Sequence, residues 1–367
     1  MKIQIEKSTL LPSLSQVISV VEKRQTLPIL GNVYIKTENG NLTLVGSDLE
    51  TEITTGLENV KCDDGEITVS ARKFFDICKA LPDSSEIELH AEDNKMKVQS
   101  GKSKFSLQTL AANEYPRLES TTWDMELTLT HKELSSLFSS TAFAMAQQDV
   151  RYFLNGLLLE IGEDAIKTVA TDGHRLAKNE MNHSAALGEI RQSIIPRKAV
   201  QEIIKFVSAD SDDNIHLKLN NSHISITSHN YRFISKLIDG RYPEYQKVIP
   251  NNLDKSIIVD KSHLAEILTR TAILSNEKFR GISVAFKPGV LVVTSRNPDH
   301  EEATDEMAID YQGEEIEIGF NVNYLQDAIR ECGSEKVHFF FKDPSTSGII
   351  KEENNAEKLY LIMPMRI

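Results

Sequence analysis

Ile3-Gln4-Ile5-Glu6-Lys7-Ser8-Thr9-Leu10 runs from strand-like alternation into helical spacing, and the same unit returns twice further along the chain. It reappears as Leu127-Thr128-Leu129 before His131-Lys132-Glu133-Leu134, and as Ile257-Ile258-Val259 before Lys261-Ser262-His263-Leu264. Leu10 and Leu134 lie 124 positions apart, and Leu134 and Leu264 lie 130 apart. Periods of that size are whole domains, so the repeat predicts three tandem domains and not a solenoid. A second unit recurs inside each copy. Ile67-Thr68-Val69 precedes Ala71-Arg72-Lys73-Phe74, Ile194-Ile195 precedes Pro196-Arg197-Lys198, and Ile316-Glu317-Ile318 precedes Asn321-Val322-Asn323. Each reads as a strand followed by a helix with Ser, Pro or Asn at its start, where capping chemistry favours them. Alternating stretches such as Ile215-His216-Leu217 follow, separated by turns such as Asn39-Gly40 and Asn220-Asn221. The fold class is therefore α+β, each domain built from two β-α-β-β-β halves. Boundaries are expected at residues 1–122, 125–250 and 254–367. The ends agree: Glu114-Tyr115-Pro116-Arg117 closes the first copy and Arg241-Tyr242-Pro243-Glu244-Tyr245 the second. The third ends instead in an apolar, methionine-rich tail, Leu361-Ile362-Met363-Pro364-Met365-Arg366-Ile367.

The chain has 367 residues, 40% hydrophobic and 26% charged, the balance of a core-forming protein. No apolar run approaches the ~18 residues of a membrane span, and the N-terminus lacks a signal-peptide core. Cys62, Cys78 and Cys332 are scattered and odd in number, which offers neither a disulfide framework nor a metal knuckle. These features predict a cytoplasmic protein. With 54 acidic and 41 basic residues the net charge is −13, which opposes ordinary groove-reading DNA binding. Basic pairs are nonetheless placed systematically: Lys23-Arg24 at the expected end of the first helix, Arg72-Lys73 and Arg197-Lys198 at the start of later ones. A cation at a helix N-terminus works against the dipole, so the last two pairs point to a positive surface on an acidic chain.

Catalytic and metal motifs fail on inspection. Ser100-Gly101-Lys102-Ser103 imitates the end of a phosphate-binding loop, but Met96 stands where that loop needs glycine. Asp172-Gly173-His174-Arg175 could pair a general base with its orienting acid. The plainer reading is a tight turn capped by Asp172, with Gly173 supplying positive φ. Asp299-His300-Glu301-Glu302 has ligand-type residues that alternate across a strand and cannot converge. Ser208-Ala209-Asp210-Ser211-Asp212-Asp213-Asn214 lacks the glycine and the bidentate glutamate of a calcium loop. No catalytic residue, metal or cofactor is expected.

Three repeats of this size, Asp172-Gly173-His174-Arg175-Leu176, Arg241-Tyr242-Pro243-Glu244-Tyr245 and the Met363-Pro364-Met365-Arg366 tail together resemble the bacterial β sliding-clamp family, the processivity subunit of DNA polymerase III. The resemblance spans the whole chain. It implies a head-to-tail homodimer whose six domains close a ring around duplex DNA, helices inward, with no catalysis of its own and a separate ATP-driven clamp loader. It resolves the charge puzzle, because a ring held by topology slides best with few phosphate contacts. It implies a shared peptide pocket for the replicative polymerase, the loader and other clamp-binding proteins. That pocket is made of Leu154, Thr171, Gly173, His174, Arg175, Leu176, Pro243, Lys247, Val248, Ser347, Leu361, Ile362, Met363, Pro364, Met365 and Arg366. Lys247 stands where the family commonly has arginine. The implied DNA-facing residues are Arg24, Gln148, Tyr152, Phe153, Arg197 and Lys198, with Phe153 in place of a tyrosine. The implied dimer seam brings Lys73, Ile77, Phe105 and Leu107 against Ile273 and Leu274. Around it Lys95, Lys102 and Lys104 would meet Glu301, Glu302, Asp305 and Glu306. The competing readings are a protein-interaction scaffold that never encircles DNA and, more distantly, a hydrolase using Asp172 and His174.

Overall fold

The computed structural model describes residues 1–22, 27–118, 122–183, 190–207, 211–353 and 355–366. The first repeat holds β1 (Lys2–Glu6), α1 (Lys7–Ile18), β2 (Asn32–Glu38), β3 (Asn41–Ser47), β4 (Thr51–Leu57), the short β5 (Lys61–Cys62), β6 (Gly65–Ser70), α2 (Ala71–Ala80), β7 (Glu86–Glu92), β8 (Lys95–Ser100) and β9 (Ser103–Leu110). The second holds β10 (Met125–Thr130), α3 (His131–Ala142), β11 (Gly156–Ile161), β12 (Ala165–Thr171), β13 (Arg175–Asn182), β14 (Arg191–Pro196), α4 (Arg197–Phe206), β15 (Asn214–Leu219), β16 (His223–Ser228) and β17 (Tyr231–Lys236). The third holds β18 (Lys255–Asp260), α5 (Lys261–Ala272), β19 (Gly281–Lys287), β20 (Val290–Arg296), β21 (Glu302–Ala308), β22 (Ile316–Asn321), α6 (Val322–Glu331), β23 (Lys336–Phe341), β24 (Gly348–Glu352) and β25 (Asn355–Ile362). Apart from β5, every repeat is two β-α-β-β-β halves, as the spacing predicts. The helix α1 closes at Ile18, short of Lys23 and Arg24, which lie outside the described residues, as do residues 208–210 of the acidic loop.

Compactness divides the chain differently from the repeats, into residues 1–135 with 201–237, and residues 136–200 with 238–367. The first unit carries a sheet of thirteen antiparallel strands, in which β4 of the first repeat pairs with β17 of the second. The second unit carries an eight-stranded sheet, in which β13 of the second repeat pairs with β25 of the third, and a four-stranded sheet β21-β20-β19-β22. Backbone hydrogen bonds thus stitch each repeat to the next.

The helices form where the sequence supplies caps. Thr130 and Glu133 make a reciprocal capping box at α3, the Thr130 N–H donating to Glu133 Oε2 (2.8 Å) and the Glu133 N–H to Thr130 Oγ1 (3.2 Å). Asp260 caps α5 through the His263 N–H, and Asn321 caps α6 through those of Asn323 and Tyr324. Buried Leu10, Leu14, Val17 and Ile18 line one face of α1 at helical spacing.

The first residue of each leading helix repeats a further device. The N–H groups of Lys7, His131 and Lys261 donate to the carbonyls of Ser85, Asp213 and Glu335 at 2.9, 3.0 and 2.9 Å. The buried Lys7 ammonium then donates to the carbonyls of Lys79 (3.1 Å) and Leu81 at the end of α2, and to Asp83 (2.9 Å). Lys261 treats Arg330 and Cys332, at the end of α6, in the same way. A cation there satisfies carbonyls with no helical partner and favours the negative end of the dipole. His131 takes this position in the middle repeat, its ring tilted against Phe206 (5.3 Å), with burial pushing its pKa down. A lowered histidine pKa means stability fully present above the ordinary value and declining as pH falls below it. Lys7→Met strands two carbonyls and is expected to cost about 1.5–3 kcal/mol in denaturant unfolding; an unchanged midpoint would refute this role of Lys7.

Candidate functional site: the seam of β13 and β25

Arg175 and Leu176 open β13 and pair with Ile362 and Leu361 of β25. Ahead of them the chain makes the tight turn read from the sequence. Asp172 Oδ1 accepts the N–H groups of His174 (2.9 Å) and Arg175 (3.0 Å), Thr171 Oγ1 accepts that of Gly173 (3.0 Å), and Gly173 takes φ 90°. Positive φ favours glycine there, and a Cβ would also sit 2.9 Å from the flexible end of Arg151. Asp172 and His174 serve this turn and show no catalytic arrangement.

Arg175 is the bolt of the seam. Its guanidinium donates to Asp172 Oδ2 (3.1 Å), Asp327 Oδ2 (2.6 Å) and the Phe143 carbonyl (2.9 Å), and lies over the rings of Tyr324 (4.5 Å) and Phe143 (5.2 Å). It ties β13 to α6 and to the residue that follows α3. Asp327, Tyr324 and Phe143 were not found by sequence reasoning; two lie on a helix whose spacing shows only amphipathicity.

Leu154, Leu176 and Leu361, from three separate stretches, join one apolar cluster with Tyr242, Tyr245 and Ile349, and half-buried Met363 packs against it. Leu176 is only 2% exposed, so these leucines form a floor, while His174, Pro243, Lys247 and Val248 stay exposed around it. Lys247 is ion-paired with Glu244. Ser347, Pro364 and Met365 are half-buried, Ile362 is buried and Arg366 exposed. The tail is held by backbone: the Met363 N–H donates to the His174 carbonyl and the Met365 N–H to that of Gly319, both at 2.9 Å. Two tyrosines that the sequence marked only as a domain end anchor the linker onto the cluster. Tyr245 donates to buried Glu160 Oε1 (3.3 Å), and both phenol pKa values are raised by burial.

Of the expected DNA-facing residues, Gln148, Tyr152, Phe153, Arg197 and Lys198 gather on a neighbouring corner, and Arg24 lies outside the described residues. Gln148, at φ 57°, opens a loop closed by Asn155, which accepts the Asp149 N–H (2.9 Å) and donates to the Asp149 carbonyl (2.9 Å). Tyr152 stands out, with Phe153 edge-on to it at 5.7 Å, but Phe153 packs inward against the leucine cluster. Arg197 donates its N–H to the Asn155 carbonyl (3.0 Å) and its guanidinium to that of Met145 (2.9 Å); Lys198 is half-buried beside it. Arg151, missed in the sequence, joins this loop to the turn, gripping Asp149 (3.0 and 2.8 Å) and donating to the Asp172 carbonyl (3.1 Å).

The expected seam residues are divided between the two units. Lys73 is exposed and Ile77 half-buried on α2, Phe105 is 38% exposed and Leu107 buried on β9. In the other unit Ile273 is 74% exposed after α5, and Leu274 is half-buried. Asp305 accepts from Arg270 (2.6 Å), Glu302 from Arg296 (3.0 Å) and Glu301 from Asn297 (2.6 Å); Glu306 is exposed. Among the described residues no cluster suited to holding a metal ion occurs.

Fold and seams define the class: a chain of three tandem clamp domains. Its residues 1–119, 128–244 and 246–366 match the N-terminal, central and C-terminal domain models of the DNA polymerase III beta subunit. It is 42% identical to a beta sliding clamp of Pseudomonas aeruginosa and 40% identical to one of Escherichia coli K12, each chain covered in full. A P. aeruginosa sliding clamp bound to griselimycin matches it with TM-score 0.97 at 41% identity, and Caulobacter crescentus pol III beta with 0.93 at 33%, again over the full length of both chains. The chain belongs to the DNA polymerase III beta subunit family. Its function is that of a DNA sliding clamp, a processivity factor and not an enzyme.

The Arg151 grip has a titration signature. Hydrogen bonds from its side chain and N–H hold the Asp149 carboxyl down to about 2. The depressed value means this carboxylate supports the loop above the ordinary range and releases it as pH falls toward 2. In Arg151→Ala, which keeps the backbone N–H, the Asp149 resonance should titrate at higher pH than in wild type; an unmoved titration would show that the Arg151 side chain does not hold the loop.

Proposed function

We propose that two copies of this chain close head to tail into a six-domain ring around duplex DNA, with one peptide pocket per chain tethering its partners. Strand bookkeeping supports the ring. The last strand of each leading half (β4, β13, β21) and the last strand of each domain (β9, β17, β25) are equivalent by repeat. Two pairs are already made, β4 with β17 and β13 with β25. That leaves β21, an edge of its sheet, and β9, which on its outer side meets β6 only at Thr109 and Leu110. Unpaired edges invite strand addition, and here each chain offers one of each kind.

The internal seams also suggest the register. Gly46 and Ser295 are equivalent, each lying against the carbonyl at the same point of its domain's first helix, Val17 and Thr271. Carrying over Ile53 opposite Phe233 puts Phe105 opposite Ala303 of the partner subunit and Lys104 opposite the partner's Thr304. Glu302 and Glu306 of the partner subunit then flank Lys104 on one face. Phe105 and Leu107 would supply an apolar centre with Ile273 and Leu274, inside a charged rim.

The pocket is the leucine floor at the β13·β25 seam, rimmed by His174, Pro243, Lys247, Val248 and the methionine tail. Adaptable methionine walls suit several related peptides. The polymerase and the loader compete for it. The domains run 1–122, 125–250 and 254–367. The exposed Tyr152, with Gln148, Arg197 and Lys198, faces the duplex, and Phe153 contributes packing instead of a polar contact. Among the described residues no helix is long and apolar enough to cross a membrane; a clamp on chromosomal DNA works in the cytoplasm.

Lys104→Cys with Thr304→Cys, in a Cys62→Ser background, should oxidise to a covalently closed dimer; a sample that sediments as a dimer without cross-linking would sink this register. Deleting residues 363–367 should abolish polymerase binding and leave the dimer intact. Loss of the dimer would instead make the tail structural and favour the scaffold reading.

A further inference from the structure

The seam of β4 and β17 repeats the pocket's frame position by position. Asp48 Oδ1 accepts the N–H groups of Glu50 (2.9 Å) and Thr51 (2.6 Å), just as Asp172 serves His174 and Arg175. Leu49 takes φ 76° where Gly173 takes 90°, without glycine's freedom to do so. Ser47 Oγ accepts the Leu49 N–H (3.3 Å), as Thr171 accepts that of Gly173. Across the seam the Lys236 N–H donates to the Glu50 carbonyl at 2.9 Å, matching Met363 on His174. Glu52 faces Ile234 as Leu176 faces Leu361, and buried Tyr115 stands before Pro116 as Tyr242 stands before Pro243.

The side chains on this shared frame are inverted in character. Leu176 of the pocket becomes Glu52, Met363 becomes Lys236 and Glu244 becomes Arg117. Glu52, 2% exposed, accepts Nε and Nη2 of Arg117 at 3.1 Å each and the Leu118 N–H at 3.0 Å. Lys236 Nζ donates to Glu50 Oε1 at 3.1 Å. The buried carboxylate is fully satisfied and ties down the linker at Leu118. An apolar side chain entering here would separate a bidentate pair and strand a buried charge, which is far costlier than displacing water from leucine.

We propose that the Glu52–Arg117 pair, backed by Lys236–Glu50, confines peptide docking to one seam per chain: the first seam is a latent second pocket held shut by charge. The proposal rests on the pocket lying at the β13·β25 seam.

Griselimycin, the ligand held by a solved relative, is the probe, with stoichiometry read by native mass spectrometry and calorimetry on the full chain. Wild type should take one equivalent per chain. Glu52→Leu with Arg117→Ala and Lys236→Met should take two, the new site at least about tenfold weaker because it lacks the tuned rim. A folded triple variant that still takes one overturns the lock. If that variant does not fold, the reciprocal change decides. Leu176→Glu with Glu244→Arg should weaken binding at least about tenfold beyond Leu176→Ala, and equal losses overturn the proposal. Wild type taking none would instead remove the pocket reading itself, and the lock with it.

Discussion

Antiparallel backbone pairing across repeat boundaries is the constraint on which the rest depends. A single repeat ends in strands whose N–H and C=O groups want a neighbour, and the chain supplies one twice, β17 beside β4 and β25 beside β13. Main-chain pairing is indifferent to side-chain identity, so the same junction can be built twice and dressed differently. At one seam Arg175 bolts α6 and the residue that follows α3 around an apolar floor. At the other, Thr51 occupies the arginine's place and Glu52 the leucine's. The unmatched β21 and β9 belong to the same scheme, and they are the basis for proposing that a second copy completes it.

Charge follows from this arrangement. A sliding clamp does not depend on dense phosphate contacts, so the chain can carry net −13. At the Tyr152 corner the arginine side chains are restrained: Arg197 is spent on a carbonyl and Arg151 on Asp149, which leaves Tyr152 the more prominent feature there.

Much of the fold was legible in the sequence because the repeat is written in apolar spacing, which tertiary contacts enforce everywhere. The six α-helices among the described residues and the two-half organisation followed from it. The turn at Asp172 was legible because aspartate and glycine have local, transferable roles. What was not legible lies in long-range polar geometry. The bonds of Arg175 to Asp327, Arg151 to the Asp172 carbonyl and Glu52 to Arg117 each join residues brought near by sheet pairing, and no local pattern announces them. The short β5 was missed for a related reason: two residues cannot show a period. Of the expected pocket, the leucines and Met363 share one cluster and Arg175 is bonded to Asp327 and the Phe143 carbonyl, while Phe153, expected to face DNA, packs against that cluster.

Topological enclosure can be read from retention on circular DNA. The labelled protein is loaded onto nicked circles by a bacterial clamp loader with ATP, and the retained fraction is measured before and after the circle is cut. Enclosure predicts stable retention on circles and release on linearisation. Equal retention on both forms would show binding by contact and contradict it.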